Sequence, residues 1–419
     1  MANLAINDSS RLGLRLLERA KLHGHRVTFL QANGYRLYRQ DEYCDRVMAS
    51  LDEIIPLDDT TDRELVATTL AAAHDRCPFD AVLSLNEYTI EATAYAAERL
   101  GLGFTPHEAV RRARDKHRLR EAMRAAGLAS AQSRRAASLD AVGPLADEIG
   151  YPVVIKPTTS ADSRLARIVR TRAALPVTIE DMKAEQAALD ADMRKRISTS
   201  FIVEEFLVGP LLSVEVGLRD GVFFDFMVSE RIQAAHDETI ELGSIMPASL
   251  GPEDRAACID YAHRVVDALG FGIGLFHIEM ILTGEGPKLV EANPRLMGGS
   301  MPFVYDFTTG DFIHDKLLAI HLGERVTVPE IPAGRQVASS RLQVFEAGTV
   351  AEDYREPPAQ EISRHLVLYE TYVKPGEAVK PEQIAGRFQL RVEDGTPVRE
   401  AVEAVWTASE RRLGVTLTR

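Results

Sequence analysis

The sequence has few cysteines, and they are isolated from one another. Cys44, Cys77 and Cys258 are the three cysteines among 419 residues. They are odd in number, far apart and form no Cys-x-x-Cys pair, so the sequence indicates neither a disulfide framework nor a zinc site. We expect all three to be buried or inert thiols.

Long hydrophobic runs and clusters of basic residues are also missing. No segment approaches the roughly 20 apolar residues that a membrane-spanning helix needs, and residues 1–10 lack the basic and apolar regions of a signal peptide. The formal net charge is −13, from 62 acidic and 49 basic residues, and no Lys/Arg-rich run offsets it. We therefore expect a cytoplasmic protein with no nucleic-acid or membrane partner.

What the sequence does have is the composition of an ordinary globular protein. It is 45% hydrophobic and 26% charged, and its length favours two or three domains. Helical and strand-like patterns alternate in the first part of the chain, as in residues 11–23, 26–31 and 80–85. Such alternation predicts a parallel sheet wound with helices.

The remainder of the chain predicts three further parts. Residues 151–206 place a polar helix between two strands, which is the pattern of a small lid subdomain. Between residues 211 and 292, hairpin signals predict an antiparallel sheet, interrupted by a helix over 252–269. A final region ends in an amphipathic helix over 398–413. The predicted domains are an N-terminal α/β domain at 1–112, a central region at 113–325 that includes the lid, and a C-terminal domain at 326–419.

One predicted hairpin carries a set of oxygen ligands. Because successive side chains of a strand point to opposite faces, Glu279 lies on one face of the first strand, and Glu291 and Asn293 share a face of the second. Like charges that converge in this way call for a cation, and oxygen ligands select Mg²⁺ or Mn²⁺. The alternative is a solvated hairpin face. Gly298 and Gly299, which follow directly, favour the close approach of a ligand.

Charged side chains also interrupt apolar strands ahead of this hairpin. Lys156 ends the run Val-Val-Ile-Lys, where a phosphate is a natural partner for a cation; a lysine that reaches solvent is the alternative. Glu204 and Glu215 stand in later strands, where buried acids need partners such as an amine, a ribose hydroxyl or a lysine. An exposed sheet edge is their alternative. The hydroxyl-rich loop that includes Ser163 can donate to phosphate oxygens or form a plain solvated turn.

Six motifs occur in a characteristic order. They are Asp115-Lys116, Val-Val-Ile-Lys-Pro, Val-Glu-Glu-Phe-Leu-Val-Gly-Pro, Ser-Val-Glu-Val, His-Ile-Glu-Met and Glu-Ala-Asn-Pro-Arg-Leu-Met-Gly-Gly. This order resembles the ATP-grasp superfamily, specifically its carboxylate-amine and L-amino-acid ligase branch, over nearly the whole chain. The resemblance implies a mixed α/β and α+β fold: an N-terminal parallel α/β domain, a small lid subdomain, an antiparallel catalytic sheet and a C-terminal domain.

The resemblance also implies roles for individual residues. Those implied in ATP binding are Lys116 and Lys156 at the phosphates, Ser163 in the phosphate loop, Glu204 at the adenine amino group and Leu207 at the ring. Those implied as metal ligands are Glu279, Glu291 and Asn293. Those implied in substrate binding are Glu215, Ser244, Arg295, Gly298 and Gly299. Arg295 is also the implied catalytic residue, because it would offset negative charge on the transferred phosphoryl group or acyl oxygen.

The chain departs from the family pattern at three places. The phosphate loop around Ser163 contains no glycine, although this loop is usually glycine-rich. Leu211 stands where many relatives have an acid for the ribose hydroxyls. Ser244 stands where ligases of this branch often have histidine, which leaves the amine pocket open.

Taken together, the resemblance implies an ATP-dependent ligase. It would activate a carboxylate, that of an amino acid, as an acyl phosphate and couple it to an amine, releasing ADP and phosphate. Its cofactors would be ATP and Mg²⁺ or Mn²⁺, and its partners small-molecule carboxylates and amines, with a homodimer left open. The alternatives are a carboxylase that uses bicarbonate, a ligase for an acyl carrier or thiol, and a non-catalytic nucleotide-binding regulator, which the intact ligand set argues against.

Overall fold

The structure is a computed structural model that describes residues 1–11, 13–34, 36–38, 40–160 and 164–419. Within these ranges, no helix combines the length and the apolar composition that crossing a membrane requires. Cys44 and Cys258 are buried, whereas Cys77 is exposed. Cys44 and Cys258 therefore meet the expectation of a buried thiol. For the exposed Cys77, only the expectation of an inert thiol is left.

The N-terminal part alternates strands and helices, as predicted. Its strands form a parallel sheet in the order β3-β2-β1-β4. The elements are β1 (Asn3–Asn7), α1 (Leu14–Leu22), β2 (Arg26–Ala32), α2 (Glu42–Ala49), β3 (Glu53–Leu57), α3 (Arg63–Arg76), β4 (Ala81–Leu83) and α4 (Ile90–Leu100). Helix α4 ends where Gly101 adopts φ 66°, a left-handed conformation that glycine adopts without strain.

Two helices and a small antiparallel sheet follow. The elements are α5 (His107–Arg114), α6 (Lys116–Ala125), β5 (Ser133–Ala136), α7 (Val142–Ile149), β6 (Val153–Pro157), β7 (Arg167–Val169), α8 (Leu175–Ala188), α9 (Ala191–Arg196) and β8 (Phe201–Glu205). The sheet order is β5-β8-β6-β7, so β5 joins it from ahead of residue 151. The prediction of a single polar helix between its strands is wrong, because two helices, α8 and α9, lie there. Asp190 begins the second helix by accepting from the Met193 N–H.

The remaining elements build a large sheet and its covering helices. They are β9 (Leu211–Arg219), β10 (Val222–Gln233), β11 (Glu241–Met246), α10 (Pro252–Leu269), β12 (Gly274–Thr283), β13 (Gly286–Asn293), α11 (Met301–Thr309), α12 (Ile313–Leu322), β14 (Gln336–Gln343), β15 (Gly348–Thr349), α13 (Ala359–Ile362), β16 (Leu366–Thr371), β17 (Ala378–Val379), β18 (Ile384–Val392) and α14 (Val398–Leu413). Eight of these strands form one sheet in the order β13-β12-β9-β10-β11-β14-β18-β16. The sheet therefore contains strands from both sides of residue 326, where the C-terminal domain was predicted to begin.

The two faces of this sheet differ in polarity where β9 and β12 pair. Val214, Val216 and Ile278 belong to an apolar core that α10 covers. The alternating residues of the same strands, including Glu215 and Glu279, point to the other face. Because side chains alternate along each strand, the sheet presents an apolar face to α10 and a charged face to the candidate site. The predicted mixed fold, with one parallel sheet and antiparallel sheets, is confirmed.

Candidate functional site

A cavity of about 410 Å³ lies between the small sheet and the β12–β13 hairpin. Its apolar surface comes from Val154, Ile168, Ile281 and Leu289 of the two sheets and from Phe206, which follows β8. Its charged lining consists of three cations and six acids, namely Lys116, Arg120, Lys156, Glu204, Glu205, Glu238, Glu241, Glu279 and Glu291. An apolar slot that ends in a few convergent charged groups is typical of a site for a small organic ligand.

The first lysine of the site is placed by a helix cap. Asp115 accepts from the backbone N–H groups of His117 and Arg118, which fixes the start of α6. Lys116, the first residue of that helix, is buried, and its Nζ lies 2.7 Å from Glu291 Oε1. The predicted ATP-binding lysine and the predicted metal ligand are therefore in direct contact.

The second lysine belongs to a buried cluster of three charges. Lys156 Nζ lies 2.8 Å from Glu204 Oε2, and Arg120 donates to both oxygens of the same carboxylate, at 2.7 and 3.3 Å. Burial acts to raise the pKa of Glu204, but Arg120 and Lys156 outweigh it and lower that pKa to about 2. Burial is the main reason that the pKa of Lys156 lies below its usual value.

The two hairpin glutamates face each other, as the strand pattern predicts. Glu279 on β12 pairs in register with Glu291 on β13, and His277 pairs with Asn293. The repulsion between the carboxylates is offset by protein cations: Arg231 Nη2 donates to Glu279 Oε1 at 2.7 Å, and Lys116 contacts Glu291. Burial opposes the ionisation of Glu279, but His277 and Arg231 outweigh it and hold the pKa of Glu279 well below its usual range.

Behind Glu279 lies a buried histidine held between two acids. His277 Nδ1 is 2.5 Å from Glu215 Oε1, and its Nε2 is 3.0 Å from Glu279 Oε1. Burial lowers the pKa of His277, but Glu215 and Glu279 more than reverse this and raise it to about 9. Glu215, a predicted substrate residue, is fully buried against this histidine.

The donor set of the hairpin suits a hard cation. Glu279 and Glu291 offer carboxylate oxygens, and the buried Asn293 offers an amide oxygen, a set that favours Mg²⁺ or Mn²⁺. In the part of the chain that the structure describes, no group of three or more His, Cys, Asp or Glu residues is arranged to hold a metal ion. The remaining ligands would have to be oxygens of a bound substrate or water, which is usual for Mg²⁺.

Arg295 links the site to the N-terminal part of the chain. Its Nε donates to Glu87 Oε2 at 2.6 Å, and Arg114 Nε lies 3.4 Å from the other oxygen of the same carboxylate. Burial would raise the pKa of Glu87, but Arg295 and Arg114 lower it below its usual range. Gly298 lies beside Arg295, since a Cβ there would be 3.7 Å from Arg295 Nη1, and Gly299 adopts φ +58°.

The predicted residues divide into two groups around the cavity. Those that line it are Lys116, Lys156, Glu204, Leu207, Glu279 and Glu291. Described residues that lie beyond its lining are Glu215, Ser244, Asn293, Arg295, Gly298 and Gly299. Ser244 lies on β11 opposite Arg231, and its buried Oγ has no hydrogen-bond partner among the described residues. Ser163 lies outside the described residues.

Three residues of the site were missed by the sequence analysis. Arg120, Arg231 and Glu87 hold, in turn, the predicted residues Glu204, Glu279 and Arg295. The signal that could have found Arg231 is its place in the apolar strand β10, where a charged side chain needs a partner. Arg120 and Glu87 stand in charged and polar sequence that gives no such signal.

Comparisons with known proteins agree with this geometry. An ATP-grasp domain model matches residues 149–302, and a model of the ATP-grasp N-terminal domain matches residues 17–104. The chain is 27% identical to an alanine–anticapsin ligase of Bacillus subtilis over 240 residues, which are 53% of this chain and 49% of the relative. The chain thus spans about half the length of that relative.

Solved structures share the fold over the whole chain. An L-amino acid ligase from Bacillus licheniformis matches with a TM-score of 0.77 and 21% identity, covering 100% of this chain and 99% of that chain. A carboxyaminoimidazole ribonucleotide synthase from Aspergillus clavatus, complexed with ATP, matches with a TM-score of 0.71 and 18% identity over 98% and 99% of the two chains. Two domain models in the expected order, the shared fold and the facing hairpin glutamates lead to one conclusion: the chain belongs to the ATP-grasp superfamily.

Proposed function

We propose that the protein is an ATP-dependent carboxylate-amine ligase that forms a C–N bond and releases ADP and phosphate. The observation that carries the proposal is the cavity in which Lys116 and Lys156 converge with the facing carboxylates of Glu279 and Glu291. The names of the relatives, an alanine–anticapsin ligase and an L-amino acid ligase, support an amino acid as the carboxylate substrate.

The polarity of the cavity lining favours one orientation for ATP. The purine would lie in the apolar part, against Val154, Ile168 and Leu289, and the phosphates would extend toward Lys116 and Lys156. Mg²⁺ or Mn²⁺ held by Glu279, Glu291 and Asn293 would supply charge neutralisation for the terminal phosphates.

The reaction needs an activated carboxylate, because an amine cannot displace oxide from a carboxylate directly. Transfer of the terminal phosphoryl group turns that oxygen into a phosphate leaving group. Arg295, which is partly buried and whose Nη2 lies 3.5 Å from Asn293 Oδ1, would offset the charge that develops on the acyl oxygen. This route requires no nucleophilic side chain, so the residues act by positioning and by electrostatics.

A phosphate-release screen tests the proposal. The protein is incubated with ATP, Mg²⁺ and amino acids, singly and in pairs, and ADP and phosphate are measured together with coupled product. We expect release that depends on an amino acid and a product that needs an amine as well. Release stimulated by bicarbonate alone would favour a carboxylase, and release of AMP and pyrophosphate would contradict both reactions.

A further inference from the structure

Glu204 is held on both of its carboxylate oxygens. Arg120 Nε donates to Oε1 at 2.7 Å and Arg120 Nη2 to Oε2 at 3.3 Å, while Lys156 Nζ lies 2.8 Å from Oε2. The side chains of Arg120 and Glu204 are only 2% and 4% exposed. These three contacts use most of the roughly four acceptor positions of a carboxylate, and the little free surface that remains leaves little room for a purine amino group.

Arg120 also contacts the opposite side of the cavity. Its Nη2 donates to the carbonyl oxygen of Val290 at 2.9 Å, and Val290 directly precedes the metal-ligand candidate Glu291. One guanidinium on α6 thus joins β8, which carries Glu204, to β13 of the hairpin. Because a guanidinium is rigid and planar, it fixes the distance between these strands more firmly than a lysine would.

We propose that Glu204 positions Lys156 for the phosphates of the nucleotide rather than accepting from the amino group of adenine, and that Arg120 is the positioning residue that holds this arrangement against the hairpin. The proposal rests on the proposed function, since it takes ATP as the ligand. Recognition of the adenine amino group is then left to the main chain of residues 205–207, which follow Glu204 along the cavity.

The test compares two nucleotides that differ only at the purine 6-position. Dissociation constants of ATP and of purine riboside triphosphate, which lacks the 6-amino group, are measured with Mg²⁺ and without a carboxylate substrate. The main variant is Arg120→Leu combined with Glu204→Leu. This variant removes one positive and one negative charge together, but it also takes away the ion-pair partner of Lys156. Circular dichroism therefore checks that the variant folds.

The expected result has two parts. The ratio of the two dissociation constants stays within about twofold of the wild-type ratio, because no acceptor for the amino group has been removed. Affinity for both nucleotides falls by roughly tenfold, because Lys156 is no longer held in place. Lys156→Ala should cause a similar loss, and adding it to the double variant should change little, since the residues act as one unit.

A matched control comes from the same small sheet. Arg134 and Glu148 also form a 2.7 Å ion pair, but their side chains are 38% and 52% exposed. Replacing both with leucine should leave the two affinities unchanged. This variant separates loss of the Arg120 cluster from a general effect of removing an ion pair from the sheet.

Each outcome decides one part of the proposal. Loss of the preference for ATP in the double variant would show that Glu204 reads the amino group and would overturn the assignment. Unchanged affinity for both nucleotides would overturn the positioning role. If wild type binds the two nucleotides equally, Glu204 does not read the amino group, which supports its assignment, but the main chain of residues 205–207 does not read it either and that part of the proposal fails. If wild type binds neither, the proposed function itself fails.

Discussion

At the scale of single residues, the site consists of carboxylates that protein cations hold in place. Glu279 contacts Arg231 and Glu291 contacts Lys116, so neither acid is an isolated buried charge. Such pairs offset the repulsion between the two carboxylates and, at Glu279, help to keep the pKa below its usual range. They also mean that removing one acid leaves a cation with less compensation.

We predict that Glu279→Gln and Glu291→Gln each reduce turnover by roughly 100-fold or more. The substitution keeps the shape of the side chain but removes the charge that would hold the metal ion. Turnover is measured as amino-acid-dependent ADP release, and folding by circular dichroism. Glu285→Gln is the matched control, because Glu285 lies at the exposed tip of the same hairpin and pairs with Lys288. Turnover near the wild-type level in either hairpin variant would contradict the metal assignment.

The sequence predicted the facing of the two hairpin acids but not the residues that support them. The facing of Glu279 and Glu291 follows from the period of two along a strand and the short turn between the strands. The supporting contacts follow no local rule, since Arg120 lies 84 residues from Glu204 and Glu87 lies 208 residues from Arg295. Only the packing of separate parts of the chain brings these pairs together.

At the scale of elements, α12 carries two histidines that are buried without charge. His314 and His321 are buried, and their Nδ1 atoms have no hydrogen-bond partner among the described residues. Burial lowers the pKa of His314 to about 3 and that of His321 to about 4. A histidine with a depressed folded pKa stabilises the fold above its unfolded pKa of about 6.5, and this contribution is lost as pH falls toward the folded pKa.

We predict that these histidines make the protein sensitive to acid between about pH 6.5 and pH 4. By pH 5 each should have reduced the free energy of unfolding by about 2 kcal/mol, because the unfolded chain binds protons that the folded chain excludes. Denaturant unfolding at pH 7 and pH 5 is compared between wild type and a variant with His314→Leu and His321→Leu. The variant should lose less stability, and parallel pH profiles would refute the prediction.

The neighbouring Asp306 makes this comparison between variants necessary. Burial raises its pKa to about 7, so its carboxyl group is protonated in the folded state at pH values where the unfolded chain is ionised. Falling pH from 7 toward the unfolded pKa therefore favours the fold, opposite to the effect of the histidines. The difference between variant and wild type isolates the contribution of α12.

At the scale of the whole molecule, the N-terminal part of the chain completes the site. Glu87 precedes α4 and holds Arg295, which follows the β12–β13 hairpin. Arg114 on α5 contacts both Glu87 and Glu91, so Glu87 joins α5 as well as the segment after the hairpin to the N-terminal part. The N-terminal part thus contacts the proposed catalytic arginine through the segment between β4 and α4, although its described residues do not line the cavity.

We predict that Glu87→Gln lowers turnover by roughly tenfold to 100-fold while ATP affinity changes by less than about twofold. The variant weakens the hold on Arg295 but leaves Lys116 and Lys156 untouched. Glu91→Gln is the control, because Glu91 contacts Arg114 but not Arg295. Equal turnover in the two variants, or a parallel loss of ATP affinity in Glu87→Gln, would argue against a positioning role for Glu87.

Trapping with hydroxylamine tests most directly whether the protein makes an acyl phosphate. Hydroxylamine intercepts acyl phosphates as hydroxamates, so the carboxylate can be identified before the natural amine is known. With ATP, Mg²⁺ and the correct amino acid, we expect one hydroxamate and one ADP per turnover, and loss of both in Arg295→Ala with ATP binding largely retained. Hydroxamate formation accompanied by AMP and pyrophosphate, or ADP release that bicarbonate stimulates and no amino acid does, would contradict the account.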